Sequence, residues 1–348
     1  ACRAPVDFML TGEISSIYKR DGAVRKVHSI VMLPDLETAA RMNAWLDAVG
    51  NIRSDGRPIL GLDPRHLLEK LLEINTDAYL VPAHIWTPWF SVLGSKSGFD
   101  SLEACFGDLN RYIFAAETGL SSDPPMNWRV GMLDDVCLVS NSDLHSLGNM
   151  GRNGTVFHGE PDYYRIRDAL RNKDPAMCGG TLDMFPEEGK YHFDGHRKCG
   201  VAMEPEQSLA QDNICPACYK PLVLGVLHRV VALADRPKGA RADSALPCTY
   251  IIPLRELLAE IHGCGPNTKK VSTDYERLLA NCGPELAILQ HADIDELRPY
   301  SPPLLPESIM RVRDGRVIRC PGFDGQYGRI KVYEEGERDR LNRQATLQ

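Results

Sequence analysis

The chain has 348 residues, 43% of them hydrophobic and 25% charged, and a formal net charge of −7. That length exceeds what a single hydrophobic core usually serves, so two or three domains of ordinary globular composition are expected. No apolar run reaches the roughly 20 residues that cross a bilayer, no basic-then-apolar export signal opens the chain, and the acidic balance weighs mildly against a polyanionic partner unless a basic groove is local.

The chain starts Ala1-Cys2-Arg3 without an initiator methionine and enters an apolar stretch at 8–10. It therefore reads as a fragment, or a processed chain, that enters a domain partway through. Short apolar runs at 8–10, 28–33, 78–82, 114–117 and 137–140 predict strands. Helical patterns lie between them, the arrangement of βα units around a largely parallel sheet or barrel. The spacing predicts a helix over 63–73, with Asp63 as N-cap and Pro64 at the first helical position, where a missing N–H costs nothing. From 181 to 224 the chain is rich in Gly, Pro and Cys, as in a small metal-stapled module. The segment 234–247 reads as an exposed linker, and helical patterns return at 254–261 and 275–280. The stretch 310–333 predicts short β segments turning at Asp314-Gly315 and Asp324-Gly325.

Five residues form the first chemical constellation: Glu13, His28, His84, Asp143 and His145. Mixed imidazole and carboxylate donors suit multinuclear hydrolytic metal sites. Asp143 and His145 are two apart, so an extended backbone points both the same way. A lone histidine is more often a satisfied core or surface residue, and Asp-x-His occurs in many loops. What favours the metal reading is the repeated placement of such residues, Glu117 among them, after predicted strands, as at the rim of a TIM-like barrel. Bottom-up, a metal hydrolase is the expectation.

The second constellation is His196-x-x-Cys199 with Cys215-x-x-Cys218. Cys215-Pro216-Ala217-Cys218 alone would also suit a redox pair. The second close-spaced pair, in a segment too short for its own core, points to a closed structural zinc site. His192 is an alternative fourth ligand. Of 11 cysteines, others such as Cys105, Cys137 and Cys282 read as isolated buried thiols, which suits a reducing cytoplasm. Gly263-Cys264-Gly265, followed by Asn267-Thr268-Lys269-Lys270, reads either as a phosphate-contacting turn or as a polar turn between helices.

Longer motifs carry a resemblance. Pro82-Ala83-His84-Ile85-Trp86-Thr87-Pro88-Trp89-Phe90, Gly94-Ser95-Lys96-Ser97-Gly98-Phe99, Glu117-Thr118-Gly119-Leu120-Ser121-Ser122-Asp123-Pro124 and Ser140-Asn141-Ser142-Asp143-Leu144-His145-Ser146 resemble the endonuclease Q family of PHP-domain nucleases. So does Pro321-Gly322-Phe323-Asp324-Gly325-Gln326-Tyr327-Gly328 near the end. The resemblance spans essentially the whole chain. It implies an α/β fold with a PHP-type distorted TIM-like barrel, then a zinc-binding module, a helical region and a short β tail. The expected divisions are 1–180 for an N-terminally incomplete catalytic domain, 181–227 for the zinc module, 228–308 for a helical DNA-binding region and 309–348 for a β-rich tail.

The activity implied is metal-dependent cleavage of DNA on the 5′ side of uracil, hypoxanthine, xanthine or an abasic site. Its partners would be such DNA and other repair or helicase proteins. Zinc, magnesium or manganese would sit on Glu13, His28, His84, Asp143 and His145, with Glu117 as a ligand or as a partner that orients one. Lys96, with Ser95 and Ser97, would contact phosphate, the alternative being a solvated loop lysine. Trp86, Trp89, Phe90 and Trp128 would stack on DNA or line the base pocket, with at least half of them buried in the core instead. The family opens with a His-x-His motif that does not precede Glu13 here. Activity of the chain as it stands is therefore in doubt. Two other readings remain: a phosphoesterase for a small phosphorylated substrate, and a non-catalytic DNA-binding or helicase-associated protein.

Overall fold

Asp21 and Gly22 both adopt positive φ, 51° and 74°. A two-residue turn of that hand matches the twist of the strands it joins. In the computed structural model, which describes residues 6–54 and 56–346, this turn closes a long antiparallel hairpin of β1 (Leu10–Arg20) and β2 (Ala23–Leu33). Of the expected strand at 8–10 only Leu10 is extended into a strand, the first residue of a much longer one, and Glu13 lies inside β1 instead of after it. Asp21-Gly22 is the same aspartate-glycine turn signal that the tail carries at Asp314-Gly315 and Asp324-Gly325.

The hairpin continues into α1 (Leu36–Val49), β3 (Ile59–Leu60), α2 (Pro64–Ile74) and β4 (Tyr79–Pro82), and the four strands form one sheet in the order β3-β1-β2-β4. The helix expected at 63–73 is α2, its N-terminus capped by the Asp63 carboxylate on the Arg65 N–H. After α3 (Leu102–Phe106) come β5 (Ala115–Glu117), α4 (Pro124–Asn127) and β6 (Cys137–Val139), with β5 and β6 paired in parallel. Then β7 (Gly154–Phe157), α5 (Tyr163–Asn172) and β8 (Cys178–Asp183) follow. Strand β8 lies between β7 and a later strand in a three-stranded sheet.

Among the described residues the strands do not close into a barrel, which corrects the expected TIM-like ring. The physical reason is the antiparallel pairing of β1 with β2 and of β2 with β4. A ring of βα units needs parallel neighbours joined by helical crossovers.

Two cores flank the first sheet. Strand periodicity sends Val27, Val31 and Leu33 to one face, against Leu67, Leu68 and Leu71 of α2. Ile30 and Met32 point to the other face, with Tyr79, Val81, Val139 and Leu170. That second face bounds the candidate site.

Beyond β8 run β9 (Asp194–His196), β10 (Val201–Met203), α6 (Pro205–Leu209) and α7 (Val226–Leu233), and then β11 (Cys248–Tyr250), the partner of β8. A separate apolar core gathers α8 (Leu254–His262), α9 (Lys269–Cys282), α10 (Glu285–Gln290), α11 (Ile294–Leu297) and α12 (Leu305–Arg313). The expected β-rich tail needs correction. Leu305, Ile309 and Val312 recur at helical spacing and are buried, so α12 occupies its start. Asp314-Gly315 ends that helix, whereas Asp324-Gly325 does make a tight turn, bridged by Phe323 and Gln326. Strands β12 (Ile318–Cys320) and β13 (Arg329–Lys331) pair, and α13 (Glu337–Thr346) follows. Among the described residues no helix is long and apolar enough to cross a membrane.

Candidate active site and metal centre

Glu13 and Ile30 stand opposite each other across the hairpin, and Ser15 stands opposite His28. Alternation therefore brings Glu13 and His28 to the sheet face that carries Ile30 and Met32. His84 arrives from the end of β4. His28 Nδ1 and His84 Nε2 are 3.1 Å apart, and Glu13 Oε1 lies 3.0 Å from the first and 3.5 Å from the second. The approach of His28 to Oε1 is not that of a hydrogen bond, so this buried oxygen has no hydrogen-bond partner. Three donor atoms thus converge on one point, and Glu13, His28 and His84 could hold a metal ion.

The surroundings aim these donors. His84 sits in the left-handed region at φ 30°, which is uncommon for a side-chain-bearing residue. Its backbone N–H donates to Glu117 Oε2 at 2.8 Å, and its Nδ1 lies 3.2 Å from both Ser91 Oγ and Thr87 Oγ1. With Nδ1 engaged, Nε2 is left facing Glu13, the usual way a ligand imidazole is oriented. A Cβ on Gly119 (φ 73°) would come 2.6 Å from His84 Cβ, so only glycine fits there. Phe90 packs on the His28 ring at 4.7 Å. Arg57 Nη1 meets Glu13 Oε2 at 2.5 Å.

The charges respond accordingly. Burial works to raise the Glu13 carboxyl, but contacts from His28, His84 and Arg57 hold it well below the usual carboxylate range. Burial pushes the His28 imidazole down. Burial also opposes charge on His84, yet Glu13 and the nearby Glu117 and Asp143 carboxylates raise it. Glu117 is driven up by its burial.

An open cavity of about 620 Å³ lies against this cluster, with Glu13, Arg57, His84, Glu117, Asp143 and His145 among its lining. Asp143 and His145 face the cavity without joining the three converged donors. His145 turns its Nδ1–H back onto the Asp143 carbonyl at 2.8 Å, and its side chain is largely exposed. Both oxygens of Glu117 are engaged, one by the His84 amide and one by Asn141 Nδ2 at 3.0 Å.

Two expected substrate contacts are corrected. Trp86 is 1% exposed and donates from Nε1 to Asn127 Oδ1 at 2.7 Å, so it belongs to the core and offers no face for stacking. Ser97 is buried, where its hydroxyl accepts from the Phe90 N–H and donates to the Lys26 carbonyl, closing its own loop. Ser95 and Lys96 are exposed on that loop, outside the cavity lining. Trp89 is 43% exposed, its ring 6.5 Å from that of Tyr191. Arg57 carried no sequence signal, and Asn141 stood only within a family-like motif with no role assigned to it; the fold brings both to the cavity.

A second donor cluster joins His196, Cys199, Cys215 and Cys218. His196 Nδ1 is 3.1 Å from Cys199 Sγ and 3.3 Å from Cys218 Sγ. Burial works against a thiolate at Cys215, but the amides of Ala217 and Cys218 bring its pKa to about 7. His192 lies elsewhere, buried against the Ser121 carbonyl. Lys269 and Lys270 are exposed at the start of α9.

A family model described as the MJ0043 C-terminal domain matches residues 253–316, which contain α8 to α12. The sequence is 28% identical over 332 residues to the uncharacterized protein YqxK of Bacillus subtilis, covering 93% of this chain and 78% of that one. It is 32% identical over 274 residues to the uncharacterized protein MJ0043 of Methanocaldococcus jannaschii, covering 74% of this chain. The chain matches only 33% of that longer protein's length.

The fold matches the crystal structure of a lesion-specific endonuclease, PfuEndoQ from Pyrococcus furiosus, with a TM-score of 0.80 and 26% identity. That match covers 95% of this chain and 82% of the other. The chain is thus similar in fold and sequence to solved members of the endonuclease Q family. A second solved endonuclease Q structure, a complex with a 27-mer duplex substrate carrying an abasic lesion at its active site, matches with a TM-score of 0.77, 26% identity and 95% and 83% coverage.

Proposed function

We propose that this protein is a metal-dependent DNA-repair endonuclease that hydrolyses the phosphodiester on the 5′ side of a deaminated base or an abasic site. The observation that carries the reading is the convergence of Glu13, His28 and His84 beside a cavity that Asp143 and His145 also line. It is supported by the likeness to a lesion-specific endonuclease and to one holding abasic duplex at its active site.

The donor set fits a divalent ion. Two ring nitrogens 3.1 Å apart, facing a carboxylate oxygen without a hydrogen-bond partner, are paired far better by a cation than by each other. Glu13, His28 and His84 would hold it, and Asp143 and His145 would supply further ligands from the same cavity lining. A bound divalent ion supplies Lewis-acid polarisation of the phosphoryl group and makes water a stronger acid. Glu117 fixes the His84 backbone, Ser91 and Thr87 fix its ring, and Arg57 balances the charge of Glu13. Zinc is the metal we assign to His196, Cys199, Cys215 and Cys218, because three thiolates and an imidazole form a closed tetrahedral set with no open position for chemistry.

The test incubates the full-length protein with oligonucleotides bearing uracil, an abasic site or no lesion, with magnesium, manganese or zinc added back after chelation. Nicking 5′ to the lesion is expected, falling at least about a hundredfold in Asp143→Ala. Turnover confined to small phosphate esters, or equal cutting of undamaged DNA, rejects the reading.

A further inference from the structure

The loop between β6 and β7 leaves the site through Asp143 and His145. Its neck is closed: the Ser142 hydroxyl donates to the Asn153 carbonyl at 2.8 Å and accepts from the Gly151 N–H at 3.1 Å. Asn153, itself buried, bonds Ser140 Oγ at 2.9 Å. Arg152 reaches Glu256 of α8 at 3.5 Å. A neck pinned in this way fixes the direction of the tip.

The tip is apolar and open to water. Leu144 is 43% exposed, Leu147 82% and Met150 68%, and the space around Gly148 is empty. Three large apolar side chains on one short loop, beside charged site residues, differ from singly scattered exposed residues such as Leu36 on α1, which need no explanation.

We propose that this loop is a wedge whose Leu147 and Met150 enter the base stack of duplex DNA at the lesion; the proposal rests on the endonuclease reading. DNA is the occupant favoured because the loop is continuous with Asp143 and His145, and a solved relative holds duplex with an abasic lesion at its active site. A nucleotide that has lost its base, or swings it out, leaves a flat apolar slot between its neighbours. Aliphatic side chains fill such a slot and open the step, whereas a phosphate contact would call for lysine or arginine. The wedge therefore discriminates by the ease of unstacking, and the cavity need recognise only what is turned into it.

The experiment uses 2-aminopurine beside an abasic site in a duplex whose linkage 5′ to the lesion is non-hydrolysable, with the full-length metal-loaded protein, so that binding is read without cleavage and nicking is read separately on the cleavable duplex. Wild-type protein should raise the emission on binding, as the step unstacks. A Leu147→Ser/Met150→Ser double variant should lose the rise, and its preference for abasic over intact duplex should fall about tenfold. Leu36→Ser, equally exposed but remote, should keep both. A double variant that retains the rise and the preference overturns the wedge, as does wild-type binding with unchanged emission. If the wild type nicks at the lesion while the emission stays flat, the wedge alone fails. If it neither prefers nor nicks lesion DNA, the endonuclease reading fails as well.

Discussion

Asp123 caps the short helix α4, accepting from the Met126 N–H at 2.9 Å through one oxygen and from the Tyr250 hydroxyl at 2.6 Å through the other. Burial pushes its pKa up to about 6, although both hydrogen bonds pull the other way. A folded-state pKa above the unfolded value means the native state holds the proton more tightly. The stability this group contributes is therefore complete below about pH 4 and is lost as the pH rises through about 6. Asp123→Asn keeps the cap and meets the tyrosine oxygen with its amide. It should flatten the fall in stability between those pH values by about 2 kcal/mol, read from urea melts at a series of pH values. Residue-scale logic of this kind was legible in part. The Asp63 cap and the left-facing glycine of Asp21-Gly22 are local signals, whereas the burial of Asp123 beneath Tyr250 is set by a contact over a long stretch of chain.

At the scale of elements, the segment carrying the second donor cluster is tied to α7 by one carboxylate. Asp194 of β9 is fully buried, bonds the Gly225 N–H at 2.6 Å and His228 Nδ1 at 2.7 Å, and also takes the Ser208 hydroxyl of α6. Asp194→Ala leaves three buried polar groups without their partner. It should cost about 2–4 kcal/mol of unfolding free energy, with Asp194→Asn losing less because its oxygen still serves Gly225. A loss under about 0.5 kcal/mol in the alanine variant would show that water replaces the carboxylate. Nothing in the Gly- and Pro-rich sequence there marks Asp194. Its partners are 14, 31 and 34 residues away, beyond any local pattern.

At the scale of the whole molecule, the apolar cores are separate. The small cluster around Cys215, Met203 and Leu222 is distinct from the core of α8 to α12. A segment with so few buried side chains needs a cross-link to stay ordered, and a metal ion would provide it. Chelation, or Cys215→Ser, should release close to one zinc per chain and speed amide exchange across 194–224 by at least about tenfold, while helices α8 to α12 keep their protection. Uniform loss of protection would place the metal in a shared core. The tail shows the limit of local reading: buried helical periodicity in α12 overrode the strand-and-turn pattern expected there.

The endonuclease Q resemblance, the positions of β4 to β6 to within a residue, the second half of β2, the helix α2 and the two sets of metal-suited residues could all be read from the chain itself. Each rests on short-range periodicity, capping or motif spacing. Only the tertiary structure decided that Glu13, His28 and His84 converge while Asp143 and His145 line the same cavity outside that cluster, because strand register and loop path set those distances. It alone brought in Arg57, set Asn141 on Glu117, moved Trp86 and Ser97 out of the candidate site, and replaced the expected barrel with sheets built on an antiparallel hairpin. The composition of the strands suits either pairing direction. Which one forms depends on the connections and packing of the whole molecule.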